Sequence, residues 1–403
     1  MRRTFAPQAA FVAACGALAT SLALTATAQP NPDPELIRVA VVRSDPQVAL
    51  QIYGRFTISA RDGGSTLQEG RRLHQVAVRA TPQGLALGDA ELPVSAVRVQ
   101  PARDAAISLN GRRLRGTLEI VRQQNQTLLV VNHVNLEDYL RGVLSKEAPD
   151  YWPDEALRAI AIVARTYALY QRLTKGGETY DVTGDIMSQD YGGKSAEKHA
   201  TSRAVRATEG LILMYQGKVF PTFYHSTCGG MTENGRVMGN FDIEPLRGMI
   251  RCAPLCSASP FYKWQRRLTQ EDLAWALRKS AYGSIGAISD LRVTQRTDSD
   301  RVKEVTIVGA DRTLRLTGYD LRALLGFERI RSPFFSIIPT ADAFLLDGHG
   351  WGHGVGLCQW GSAELARRGL LAREILAFYY PGAELVSLRE LETQPIDVIG
   401  GSS

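Results

Sequence analysis

Residues Val134 to Gln171 constrain this chain more than any other stretch. Pro153 suits the first helical position, where its missing N–H is an orphan in any case, and Asp154 and Glu155 favour the positive end of the helix that follows. Leu157, Ile160, Ala161, Ala164 and Ala168 repeat with the helical period, while Ile162, Val163, Tyr167 and Leu169 fill the opposite side. A helix that is apolar nearly all round is a buried one. Arg165 lies inside it. A guanidinium keeps its charge, so a buried one needs an anion or polar partners, and Glu147 is the nearest attractive anion in sequence. The residues ahead of the helix read as a strand-like lead.

The 403 residues suffice for one large core or two ordinary ones. Arg2 and Arg3, an apolar run from Phe11 to Leu24, and Ala26-Thr27-Ala28 before Gln29 read as a signal peptide over 1–28. Lipidation at Cys15, after Val12-Ala13-Ala14, is the second reading. The expected location is outside the cytoplasm, in the periplasm or cell envelope. Removing 1–28 leaves 45 basic residues against 41 acidic, a balance of +4. That suits loose attraction to anionic polymers. No basic block interleaved with aromatics points to nucleic acid, and no later segment has the apolar length of a membrane helix.

Residues 29–131 form a β-rich N-terminal region. Ile37-Arg38-Val39-Ala40-Val41-Val42, Val76-Ala77-Val78, Leu85-Ala86-Leu87 and Leu128-Leu129-Val130-Val131 are separated by turn residues, and Asn110-Gly111 is a tight-turn pair. Residues 132–389 form the core, with further helices expected at Ser195–Thr208, Thr269–Lys279 and Gly318–Leu325. Leu211–Tyr215 and Lys218–Phe220 form a hairpin, and 390–403 are expected to be a disordered tail. Helices and strands mix without strict alternation. The expected class is α+β: a mixed, sheet-rich core with a buried central helix.

Gly348 to Gly356 place glycine on every even position, so an extended chain would line up His349, Trp351, His353 and Val355 on one face. His225 and Cys228, with Cys252 and Cys256, offer one imidazole and three thiols at plausible zinc spacing. In an exported protein a disulfide from Cys228 to Cys252 or Cys256 is the equal alternative, and Cys358 fits either.

The E-D-Y-L-x-G-V of Glu137–Val143, Trp152-Pro153, and A-L-x-A-x-A-x-x-A-R-T-Y-A from Ala156 to Ala168 resemble the stage II sporulation protein D family. So do His225–Gly230, the G-x-G-W-G-H-G-V-G-x-x-Q-x-G of Gly348–Gly361 and EILAFYYPG from Glu374 to Gly382. The family comprises peptidoglycan lytic transglycosylases and amidase enhancers. From spacing alone Glu147 is an exposed turn residue beside Lys146; the resemblance makes it the catalytic acid/base. It also implies a role in activity for Arg165, whose other reading is a structural ion pair, and makes the glycine-rich segment the far wall of a cleft. The candidate substrate-binding residues are Gln189, Tyr191, His225, Trp351, His353 and Gln359. Zinc near His225 is compatible with the family, in a structural role. The implied partners are glycan strands and, under the enhancer reading, a cell-wall amidase. One acid suffices for a lytic transglycosylase, because the sugar's own C6 hydroxyl attacks, whereas hydrolysis generally uses two carboxylates.

Overall fold

The computed structural model describes residues 35–61, 64–175, 178–185, 187–391 and 395–400; the expected signal segment 1–28 lies outside them. Ten strands fill the chain from Leu36 to Asn135: β1 (Leu36–Asp45), β2 (Gln47–Ala60), β3 (Thr66–Thr81), β4 (Gly84–Leu87), β5 (Ala90–Leu92), β6 (Ala96–Pro101), β7 (Ala106–Leu109), β8 (Arg112–Leu114), β9 (Thr117–Arg122) and β10 (Leu128–Asn135). With β11 (Val182–Thr183) they make one sheet in the order β11-β1-β10-β9-β6-β2-β3-β4-β5, and β7 and β8 branch from β2. The Asn110-Gly111 turn joins β7 to β8 with both residues at positive φ, 50° and 81°, the tight turn whose twist matches a hairpin.

The strand-like lead into the buried helix is corrected. β10 stops at Asn135, and α1 (Leu136–Glu147) begins there. Asn135 caps it by accepting from the N–H of Glu137 at 2.9 Å and of Asp138 at 3.4 Å. Leu136, Tyr139, Leu140, Val143 and Leu144 form its buried face. Helix α2 (Asp154–Thr174) then runs through the core, with Pro153 as its cap. Packed on it are α1, α3 (His199–Ala207) and the strand Leu211–Tyr215.

A second core lies further along the chain, built on Trp264, Leu273, Leu291, Ile307, Leu321 and Phe344 among others. Two three-stranded sheets serve it with α4 (Gln270–Arg278) and α5 (Gly318–Leu325). Each helix starts at a reciprocal cap, Thr269 with Asp272 and Thr317 with Asp320. The chain then returns to the first core with α6 (Gln359–Arg367) and α7 (Ala372–Tyr379), both packed on α2. Of the expected disordered tail, residues 395–400 run beside Val219, which bonds Asp397 and Ile399 through the backbone. The mixture of seven helices and twenty-two strands among the described residues is α+β. No described helix is long and apolar enough to cross a membrane.

Candidate functional site

Glu147 is the last residue of α1. Pro149 disfavours helical backbone at the residue before it, and Ala148 is extended, at φ −138° and ψ 138°. The helix therefore ends with Glu147 directed into a cleft of about 480 Å³. Backbone N–H of Asp190 reaches its Oε1 at 3.3 Å and Gln359 Nε2 its Oε2 at 3.1 Å. The Tyr224 hydroxyl is a third partner. Burial nevertheless dominates these three bonds and lifts the carboxyl above its usual range, with the charge of Asp190 adding to the lift. A glutamate so placed binds its proton more tightly than a free one does.

The partners of Glu147 are held in turn. Gln189, 1% exposed, donates through Nε2 to Ala164 O at 3.2 Å and to the Tyr224 hydroxyl at 3.0 Å; it accepts from Tyr139 at 3.1 Å. Since the Tyr224 oxygen accepts from Gln189, its own proton is free for Glu147. Gln359 opens α6, and the ring of Trp360 beside it meets Trp152 edge-on at 5.3 Å. The strand Tyr224–His225 runs parallel to Leu357–Cys358, which fixes Tyr224 and Gln359 relative to one another.

Other expected site residues divide. His225, Trp351, His353 and Gln359 line the cleft with Glu147. Gln189 does not line it and lies one step behind, bonded to Tyr224. Tyr191 is buried, bonding Asn132 at 3.1 Å and lying against the Tyr139 ring. Arg165 is corrected as the partner of Glu147: it forms a two-pronged pair with Glu137, at 2.7 and 2.8 Å, and donates to Val205 O and Leu211 O. The two helices fold back on one another, so the first turn of α1 meets the middle of α2.

The glycine-rich segment is not extended beyond His349. Gly350, Gly352, Gly354 and Gly356 all take positive φ, between 71° and 113°, so the chain coils and the alternation of faces is lost. His349 packs between Tyr262 and Phe334, while Trp351 and His353 face the cleft. The need for glycine is direct at Gly356, where a Cβ would come within 1.9 Å of Phe223 O. His225 and His353 lie 5.6 Å apart, ring to ring. His225 Nδ1 donates to Val355 O at 3.1 Å, and His353 Nδ1 accepts from Val355 N at 3.0 Å. Burial holds both imidazoles neutral, His353 down to about 3 and His225 also well below its usual value.

Cys228, Cys252, Cys256 and Cys358 bring their sulfurs within 4.8 Å of one another, all buried and none in a disulfide. Cys358 thus joins the three expected thiols, and His225 is not among the convergent ligand atoms. Four convergent thiols suit a closed tetrahedral zinc site, with Cys228 and Cys256 sulfurs at 3.5 Å. The group ties the segment carrying His225 to the start of α6.

Sequence reasoning missed Tyr224, although it adjoins a recognised block, and the wall of the cleft formed by Tyr319, Arg322, Phe327 and Glu328, on and just after α5. Nothing in the sequence of α5 marks that wall.

A model described as stage II sporulation protein matches residues 124–215, which hold α1 and α2, and a domain of unknown function matches 255–356. An uncharacterised protein of Brachyspira hyodysenteriae is 33% identical over 293 residues, covering 71% of this chain and 76% of that protein. Stage II sporulation protein D of Bacillus subtilis is 28% identical over 308 residues, 72% of this chain and 84% of its own length. The amidase enhancer of the same organism is 27% identical over 291 residues, 62% of this chain but only 40% of the enhancer.

Proposed function

The chain belongs to the stage II sporulation protein D family, and on that premise we propose that it acts outside the cytoplasm on the bacterial cell wall, as a lytic transglycosylase with Glu147 as acid and base. The observation that carries the reading is the carboxyl of Glu147 at the cleft, its affinity for a proton raised by burial and its oxygens met by Gln359, Tyr224 and the Asp190 N–H. Glu147 gives its proton to the glycosidic oxygen as the C1–O4 bond breaks. The C6 hydroxyl of the same muramoyl ring closes on C1, and its proton passes to Glu147, restoring the acid. No water enters the balance: one C–O bond breaks, another forms, and one proton moves from O6 to O4. Asp190, the nearby carboxylate, is paired with Lys146 at 3.2 Å, which leaves Glu147 as the proton carrier. Asp190 raises the affinity of Glu147 for its proton.

The four thiols would hold a zinc ion in a structural role. With all positions taken by sulfur, such an ion keeps the strands under Tyr224 and Gln359 in place. Arg165, with its charge met by Glu137, is read as a positioning residue of the α1–α2 pair.

Similarity to the amidase enhancer favours a second reading, a wall-binding partner of an N-acetylmuramoyl-L-alanine amidase with no chemistry of its own. One digestion separates the two. The purified chain, alone, should release fragments with 1,6-anhydro ends from glycan strands. Release only when an amidase is added, without anhydro ends, would establish the enhancer reading instead.

A further inference from the structure

The cleft that Glu147 lines also holds a cation that the chemistry above does not use. Arg322 is 3% exposed on α5 and lines the cleft. Its Nε donates to Ile330 O at 2.9 Å, its Nη2 donates to Arg331 O at 2.8 Å, and the guanidinium lies over the Phe327 ring at 4.9 Å. These contacts aim it but leave its charge unmet. No described carboxylate pairs with it, and Nη1 has no hydrogen bond among the described residues. In the same cleft Asp190 is held by Lys146, and the exposed Glu328 forms no ion pair with Arg322. Burial pulls Arg322 down to about 10, and its charge helps to depress His353. Burying an unpaired ion costs several kcal/mol, so a cation held rigid at a cleft without an anion is built to meet one there.

We propose that Arg322 is the receptor for a carboxylate of the bound glycan. The inference rests on the glycan reading and deepens it. Hydroxyl and acetamido groups are neutral, so the anions of such a strand are carboxylates: the lactyl side chain of muramic acid where it bears no peptide, or an acid group of an attached peptide. A guanidinium fork receives either through two parallel bonds.

The test uses the mature chain and four ligands: peptide-free strands and peptide-bearing strands, each as the free acid and as the methyl ester. Half-saturation of binding is read, with KM where turnover occurs. Wild type should hold an acid about tenfold to a hundredfold more tightly than its ester. If the preference lies in the peptide-free pair, the lactyl group is the ligand; if only in the peptide-bearing pair, the peptide is. Arg322→Gln should weaken acid binding to the level of the ester and leave ester binding and kcat near wild type. Arg322→Lys, which keeps the charge and loses the fork, should restore part of the preference. Equal binding of acid and ester in both pairs overturns the proposal, needs no variant, and leaves the glycan reading standing. A chain that binds none of the four ligands takes both down.

Discussion

Arg165 and Arg322 are buried guanidinia on helices that border the same cleft, one in each hydrophobic core. Arg165 is fully buried and meets both oxygens of Glu137. Arg322 is nearly as buried and meets only carbonyls and a ring. Both were removed from water at similar cost, yet only the first has that cost offset within the chain. A charge neutralised at home holds helices together; a charge left unmet beside a cleft is available to a ligand. The same division runs through the two walls. The wall of the first core carries Glu147, with its raised affinity for a proton, and the wall of the second carries the unspent positive charge.

The largest effect expected is on that proton. Glu147→Gln keeps the shape and the bond to Gln359 but has no proton to donate. Its rate of anhydro-end formation should fall by about a hundredfold to ten-thousandfold with glycan binding retained. Substitution at Arg322 should do the reverse, moving affinity and not kcat. Glu147→Gln within threefold of wild type would remove the chemical wall from the first core.

Next comes the thiol group beneath that wall. Purified without chelator, the chain should carry about one zinc, and stripping it should forfeit about 4 kcal/mol at free zinc a thousandfold above its Kd. Reductant alone should do little. Hydrogen exchange sharpens the comparison: protection should drop around Tyr224–Gly230 and Gly356–Gly361, while strands Ile288–Arg296 and Val302–Gly309 of the second core stay protected. A mapped disulfide at Cys228 in metal-free protein refutes the zinc assignment and leaves Glu147 untouched.

The third test sets the arginines against each other. Glu137→Gln strands the Arg165 charge and should cost about 3 kcal/mol in urea unfolding. Arg322→Gln should cost less than half of that, because it removes a charge along with two bonds. Equal losses would erase the distinction.

What the sequence showed and hid follows from the range of the forces involved. The all-round apolar pattern and Pro153 exposed α2, and Asn110-Gly111 exposed its turn, because propensity and periodicity are local. Helix α1 was hidden by the β-rich run Leu128–Val134 ahead of it, although Asn135, Glu137 and Asp138 spell a helix start. The pairing of Arg165 with Glu137, 28 residues away, depends on how two helices fold back, so Glu147, an acid just ahead of α2, was the wrong guess. Alternation failed at Gly350–Gly356 because glycine is also the residue of left-handed backbone. Cys358 joined the other thiols across 130 residues, a distance at which spacing carries no information. Arg322 could not be read at all: its distinction is a missing partner, which only packing reveals.

The smallest effect concerns Glu147 as a weight on the fold. Its native affinity for a proton is raised, chiefly by burial. The native state therefore binds the proton more tightly than the unfolded chain, and stability from this group is full below the ordinary glutamate value of 4.5 and lost as pH rises through the native value. At neutral pH keeping this carboxyl buried works against the fold, and a neutral glutamine removes that burden. Glu147→Gln should thus be more stable than wild type at neutral pH, with the gain closing below 4.5, whereas Glu137→Gln is less stable at neutral pH because its charge was needed. The opposite signs distinguish a carboxyl kept for chemistry from one kept for structure, a trade commonly found at active sites. Urea midpoints of the two variants on either side of that pH read it directly. If Glu147→Gln is no more stable than wild type at neutral pH, burial does not hold the proton on Glu147, and its role as the acid loses its physical basis.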